Sequence, residues 1–208
     1  MADAGGLTPT PSVLQELQDE RLVVQEGYQF LDEKRLLLAA EILRQLERYR
    51  RLHREYLELH ESAAKALSGS IVRHGLEGLQ VYPPAADLEQ AKLETETHTV
   101  LGVKVTDSQL HGEIDLSPPR AADPSPEARE CRRLFNELVK RSAPLAAITG
   151  NLERLLDEYR RTERRARALE DVLLPEIEHQ LLEVSTRLEE LDQEEAVRTR
   201  LKYGTGKE

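Results

Sequence analysis

Between Ser12 and Gly75 the chain contains no proline, and its only glycines there are Gly27 and Gly69. Apolar residues recur through this stretch at steps of three and four: Leu14, Leu17, Val24, Tyr28, Leu31, Leu38, Ile42, Leu46, Tyr49, Tyr56, Ala63 and Leu67. Arg21, Arg35, His53 and His60 fill the remaining slots. A heptad-like stripe this long predicts a coiled-coil helix rather than an ordinary globular one. Ser12 is the expected N-cap, with Glu16 in the first turns, where the helix dipole favours an acid. An extra four-residue step falls between Ile42 and Leu46.

A second arm follows from about Ser125 to Lys202. Leu138, Leu145, Leu152, Tyr159, Ala166 and Leu173 are spaced by sevens, and Ile148, Leu155, Thr162 and Leu169 interleave with them. After Pro175 the stripe resumes as Ile177, Leu181, Val184, Leu188 and Leu191, with a stutter that locally unwinds a supercoil. Pro175 is expected to kink its helix, and Pro144 and Gly150 to bend or break theirs. Arms this long reach on the order of 100 Å each. Neither can bury its stripe alone, so each needs a partner, and the other arm is the nearest one. Antiparallel pairing fits the short middle segment best. Counted from the arm ends, it sets Leu14 near Val197 and Tyr49 near Tyr159 or Arg161.

The fold class expected is therefore mainly α: a long antiparallel two-helix coiled coil with a small middle insert containing a β-hairpin. The domain layout read from the sequence is a disordered tail at 1–11, an N-terminal helix at 12–75, an insert at 76–124, a C-terminal helix at 125–202 and a tail at 203–208. Within the insert, His98–Val105 and Leu110–Leu116 read as hairpin strands around Thr106-Asp107-Ser108-Gln109, with Gly102 and Gly112 as bulges. Ala85–Glu96 reads as a short helix.

Composition narrows the function. With 33% charged and 4% aromatic residues, no Trp and two Phe, the chain lacks the bulky anchors of a large globular core. A formal net charge of −10 disfavours unspecific binding to nucleic acid or anionic lipid. The single cysteine, Cys131, excludes an internal disulfide and fits a reducing compartment. No apolar run reaches the length of a membrane span, and the N-terminal segment lacks the character of a signal peptide, so a cytoplasmic protein is expected.

No catalytic, cofactor or metal constellation is expected. The GTGK at 204–207 lacks the spacing and the following helix of a phosphate loop. His53 and His60 stand a heptad apart, too far for a metal pair on one helix face, and read as semi-buried seam residues. Arg132 and Arg133 are placed to lower the pKa of Cys131, but no histidine accompanies it as a base. The cluster Arg160, Arg161, Arg164, Arg165 and Arg167 is interleaved with acids, and Asp157–Arg161 and Glu163–Arg167 are i, i+4 pairs. It reads either as a solvated salt-bridged face or as a docking surface for an acidic protein.

Two stretches carry more than periodicity: Pro9-Thr10 followed by Gly27-Tyr28-Gln29-Phe30-Leu31-Asp32-Glu33-Lys34-Arg35, and Thr162-Glu163-Arg164-Arg165-Ala166-Arg167-Ala168-Leu169-Glu170-Asp171-Val172-Leu173-Leu174-Pro175. With Val100-Leu101-Gly102-Val103-Lys104-Val105 in the middle, they resemble the D subunit (central rotor shaft) of the V/A-type rotary ATPase and ATP synthase family. Pro11, Ala166, Arg167 and Thr106 depart from that family's pattern. The resemblance implies a noncatalytic central rotor axle without a cofactor. Its implied partners are the ring of catalytic and regulatory subunits, the small F subunit and the adaptor on the membrane rotor. The candidate interaction residues are Gly27, Lys34, Arg35, Gly102, Arg164, Arg165, Leu169, Glu170 and Pro175. Close approach of the opposite helix near Gln180–Val184 is the expected reason for Gly27, and Glu176 and Glu178 are possible partners for Lys34 and Arg35. The rival reading is a static coiled-coil scaffold or tether.

Overall fold

The computed structural model describes residues 8–80, 82, 91–111 and 124–204, with side chains to Leu201. The elements, in chain order, are helix α1 (Pro11–Gln80), strands β1 (Lys92–Val100) and β2 (Val103–His111), helix α2 (Pro126–Ala168), a π-helical turn (Leu169–Leu173) and helix α3 (Leu174–Gly204). The protein is mainly α. The expected disorder at 1–7, the prolines at 83, 84, 118 and 119, Gly112 and the segment Thr205–Lys207 lie outside the described residues.

Both long helices start in the same way. Thr10 caps α1, its Oγ1 accepting the N–H of Val13 at 3.3 Å, and Pro11 takes the first helical position, where a missing N–H costs nothing. Ser12 is thus inside the helix rather than its cap. Ser125 caps α2 by accepting the N–H of Ala128 at 3.1 Å, again with a proline next. Gly75 interrupts α1 at φ 70°, ψ 167°, a left-handed φ that side chains resist.

The chain forms two compact units. The larger holds residues 37–159. Here α1 and α2 run antiparallel: Leu38 packs on Leu155, Glu55 pairs with Arg141 at 2.8 Å, Ala63 packs on Leu134 and Leu138, and Arg73 faces Glu127 at 3.7 Å. The register sits about 9 to 17 residues earlier on α2 than a count from the arm ends gives. Tyr159 accordingly joins the Leu38 cluster, while Tyr49 stacks on His53 with ring centroids 5.3 Å apart. The count overshoots because the last turns of the chain bury nothing: residues 189–201 of α3 are all exposed, and Val197, offered to Leu14, is one of them.

The buried positions keep the heptad. Leu38 and Gln45 are seven apart, as are Ala63 and Ser70, and so are Ile148 and Leu155. Between Gln45 and Ala63 lie two heptads and a four-residue step. α2 passes through Pro144 and Gly150 without interruption, so the expected break does not occur. Beside Pro144, the carbonyl of Ala143 accepts the Ser108 hydroxyl at 2.7 Å, which ties the helix to β2.

The hairpin differs from its sequence reading. Its turn is Leu101-Gly102, at φ 52° and 85°, so Gly102 is a turn residue rather than a bulge. Thr106-Asp107-Ser108-Gln109 lies inside β2, and Lys92–Glu96, expected as helix, is strand. A two-residue turn with positive φ at both positions suits the twist of a hairpin, but it favours Asn-Gly. Leu101 accepts the strain because its side chain packs on Leu38, Val103 and Leu155.

The smaller unit combines the described part of α1 up to Leu36 with residues from Arg160 onward. Leu17, Val24, Thr162, Ala166, Ile177 and Val184 are buried in it, with sevens again between Leu17 and Val24 and between Ile177 and Val184. The stutter near Pro175 takes the form of the π-helical turn, in which the N–H of Leu174 reaches the carbonyl of Leu169. Pro175 has no N–H for the carbonyl of Asp171, and its ring crowds that carbonyl. A wider turn just before it relieves the crowding.

Candidate functional site

In the smaller unit the two motif stretches face each other. A β-carbon placed on Gly27 would stand 3.6 Å from Cδ1 of Leu169, an ordinary van der Waals contact. The approach is to the π-helical turn, not to Gln180–Val184. One residue on, the Tyr28 hydroxyl lies near Glu170, and burial followed by that carboxylate raises its pKa above the ordinary phenol value. Gly27, Tyr28, Leu169 and Glu170 thus form one contact, two residues from each motif.

The charged candidates flank it. Arg35 is half-buried and binds Asp32 of its own helix at 2.5 Å, so the cross-helix partners Glu176 and Glu178 are not what holds it. Lys34 is half-buried on the same turn. Arg164 and Arg165 are exposed, and the neighbouring Glu163–Arg167 pair is made at 2.8 Å, so part of this arginine face is self-paired. Pro175 is exposed at the start of α3. Gly102 belongs to the other unit, at the hairpin turn.

Sequence reasoning passed over the polar fastening of the hairpin. Asn151 is 1% exposed. Its Oδ1 accepts the Thr106 N–H and its Nδ2 donates to the Thr106 carbonyl, both at 2.8 Å. Arg154 donates from Nε to the carbonyl of Lys104 at 2.9 Å and from its second guanidinium nitrogen to Asn151 Oδ1 at 2.7 Å. From α1, Arg48 meets Asp107 at 2.9 Å. The available signal was an asparagine beside the buried stripe, where an apolar residue is the default.

The chemically reactive groups stand elsewhere. Cys131 lines a small cavity of about 160 Å³ with Leu67, Ser70 and Phe135. Burial pushes its thiol pKa up, with the Ser70 hydroxyl acting the other way. The expected lowering by Arg132 and Arg133 therefore does not occur, and Arg133 is paired with Glu130 at 2.7 Å. His53 is half-buried, as a seam residue should be, but His60 is exposed. Among the described residues no group of His, Cys, Asp and Glu is arranged to hold a metal ion, and no helix is long and apolar enough to cross a membrane.

The family model for the ATP synthase D subunit matches residues 13–202, which take in Gly27–Arg35 and Thr162–Pro175 but not Pro9-Thr10. The chain belongs to this family. Among its relatives, the V-type ATP synthase D subunit of Thermotoga neapolitana is 25% identical over 193 residues, 92% of this chain and 94% of that one. The A-type ATP synthase D subunit of Methanopyrus kandleri is 28% identical over 194 residues, 92% of this chain and 83% of that one. That of Methanococcoides burtonii is 26% identical over 195 residues, 91% and 93% of the two chains. In this member of the family the two motif stretches meet, Gly27 against Leu169.

Proposed function

We propose that this chain is the noncatalytic central axle of a V/A-type ATPase or ATP synthase. In this reading it carries torque between a nucleotide-binding ring and an ion-translocating membrane rotor, sits at the membrane only through that complex, and contacts the ring, the F subunit and the rotor adaptor. The arms at 12–75 and 125–202 form the shaft, and the insert at 76–124 carries the hairpin. Gly27, Leu169, Glu170 and Pro175 shape it, while Lys34, Arg35, Arg164, Arg165 and the Gly102 turn are its contact points.

The observation that carries this reading is the meeting of the two motif stretches, Gly27 on Leu169 and Tyr28 on Glu170. Mutually packed helices resist twisting and bending better than one helix. An axle must also release each stator position in turn, and deep aromatic anchors would hold one position too tightly. A surface of charged, partly screened contacts avoids that.

Affinity purification of the chain from its native source is the test. Recovery of nucleotide-binding ring subunits, with ATP turnover coupled to ion movement only when this chain is present, is the expected result. A chain that purifies alone or self-paired is a static tether, and the axle reading fails.

A further inference from the structure

The hairpin has two edges, and the protein treats them differently. Its register pairs Val100 with Val103 across the two-residue turn. Counting outward, alternate pairs exchange both backbone bonds, so Thr99–Lys104, Thr97–Thr106, Thr95–Ser108 and Leu93–Leu110 are the pairs whose N–H and C=O groups point away from the partner strand. On β2 three of those outward groups, those nearest the turn, are taken by α2: the Lys104 carbonyl by Arg154, and the Thr106 N–H and carbonyl by Asn151.

On β1 the corresponding groups, those of Leu93, Thr95, Thr97 and Thr99, have no partner among the described residues. The strand is exposed from Lys92 to Thr99. A nine-residue open edge is a template for another strand unless something blocks it, and β1 carries no proline or bulge.

The charges say what kind of strand it takes. Glu96 stands directly opposite Asp107, a like-charge pair that weakens a ladder. Arg48 answers Asp107, and His111 answers Glu94 at 3.1 Å. Glu96 has no ion pair among the described residues.

The geometry points to β1 as a docking edge for an extended segment of a neighbouring subunit, added as a third strand, with a lysine or arginine set against Glu96. Main-chain bonds to Leu93, Thr95, Thr97 and Thr99 supply the attachment, and the cation supplies the register. The docking depends on the rigid seating of β2 by Asn151 and Arg154, because a loose hairpin would lose the ordering entropy again on binding. This inference rests on the chain working inside the assembly proposed above.

Amide hydrogen exchange on the isolated chain and on the natively purified complex tests it. In the isolated chain Glu94, Glu96, His98 and Val100 are already protected by β2, and their alternate neighbours exchange fast. In the complex Leu93, Thr95, Thr97 and Thr99 should slow by at least roughly tenfold, the scale of one net hydrogen bond. Thr97→Pro removes an outward N–H without touching the β1–β2 ladder, and should abolish that slowing while Glu96 and His98 stay protected. Glu96→Lys should weaken it as well. A chain found in the complex with those four amides still fast overturns the strand addition and leaves the axle reading intact. Slowing that appears in the isolated chain with concentration makes the occupant a second copy, and the partner assignment fails. A chain that recovers no ring subunits sinks both.

Discussion

The side-chain amide of Asn151 meets the backbone of Thr106 twice, accepting from its N–H and donating to its carbonyl at 2.8 Å each. A helix residue thereby does for β2 what a neighbouring strand would do. Asn151→Ala should leave both groups unpaired and cost about 1–3 kcal/mol of stability. Urea unfolding measures the loss, and faster exchange of the Thr106 amide localises it. Unchanged exchange at Thr106 would show that the pair is not made.

Gly27→Ala should stabilise the chain. The added β-carbon finds Leu169 Cδ1 at 3.6 Å, an unstrained contact, and alanine is favoured over glycine in a helix by roughly 0.5–1 kcal/mol. A rise in the urea midpoint is expected. A fall would mean that the helices close more tightly at this level.

Pro175→Ala restores an N–H that can reach the carbonyl of Asp171. The π-helical turn then loses its cause, and the Leu174 N–H should move from the carbonyl of Leu169 to that of Glu170. The proline penalty in a helix interior is about 3 kcal/mol, so a gain of about 1–3 kcal/mol is expected, the π turn having relieved part of it. Hydrogen-bond couplings at Leu174 report the switch. If coupled rotation in the assembled complex is unchanged by it, Pro175 has no part in shaping the axle.

Acid should loosen the middle of α1. Arg44 binds the Glu41 carboxylate through two bonds of 2.7 and 2.8 Å, Gln45 adds a third at 2.8 Å, and together they hold its pKa below the ordinary carboxylate value against a smaller opposing effect of burial. A depressed folded pKa stabilises the chain above the unfolded carboxylate value, and that stabilisation disappears as pH falls through the depressed one. A carboxyl-detected NMR titration should place Glu41 below the ordinary glutamate value, and Arg44→Ala should raise it again.

The helices were legible because a stripe such as Leu31, Leu38, Tyr49, Tyr56 and Ala63 repeats over many turns, and each repeat restates the same face. Their ends and register were less so. Nothing in the periodicity of Leu191 or Val197 reveals that those turns stay exposed, and that overhang shifted the whole pairing. The hairpin turn escaped notice because Leu101 occupies a position that usually announces itself as asparagine, its tertiary contacts overriding local preference. The same overhang is why Gly27 meets Leu169 rather than the expected Gln180–Val184, and the self-pairing of Arg35 with Asp32 is a rotamer choice no spacing encodes. Asn151 was hidden for the opposite reason: one polar residue near a stripe looks like surface until its partner strand is known.

The cluster of Leu38, Val103 and Leu155 also sets a timetable. It joins three segments spread over roughly 120 residues, so a nascent chain emerging at about 5–20 residues per second holds Leu38 without Leu155 for about 6–24 s. During that interval the first arm is a half-finished seam, open to the wrong neighbour. Short-range ion pairs within that arm, such as Glu41–Arg44 and Glu61–Lys65, need no partner helix and can form during the wait.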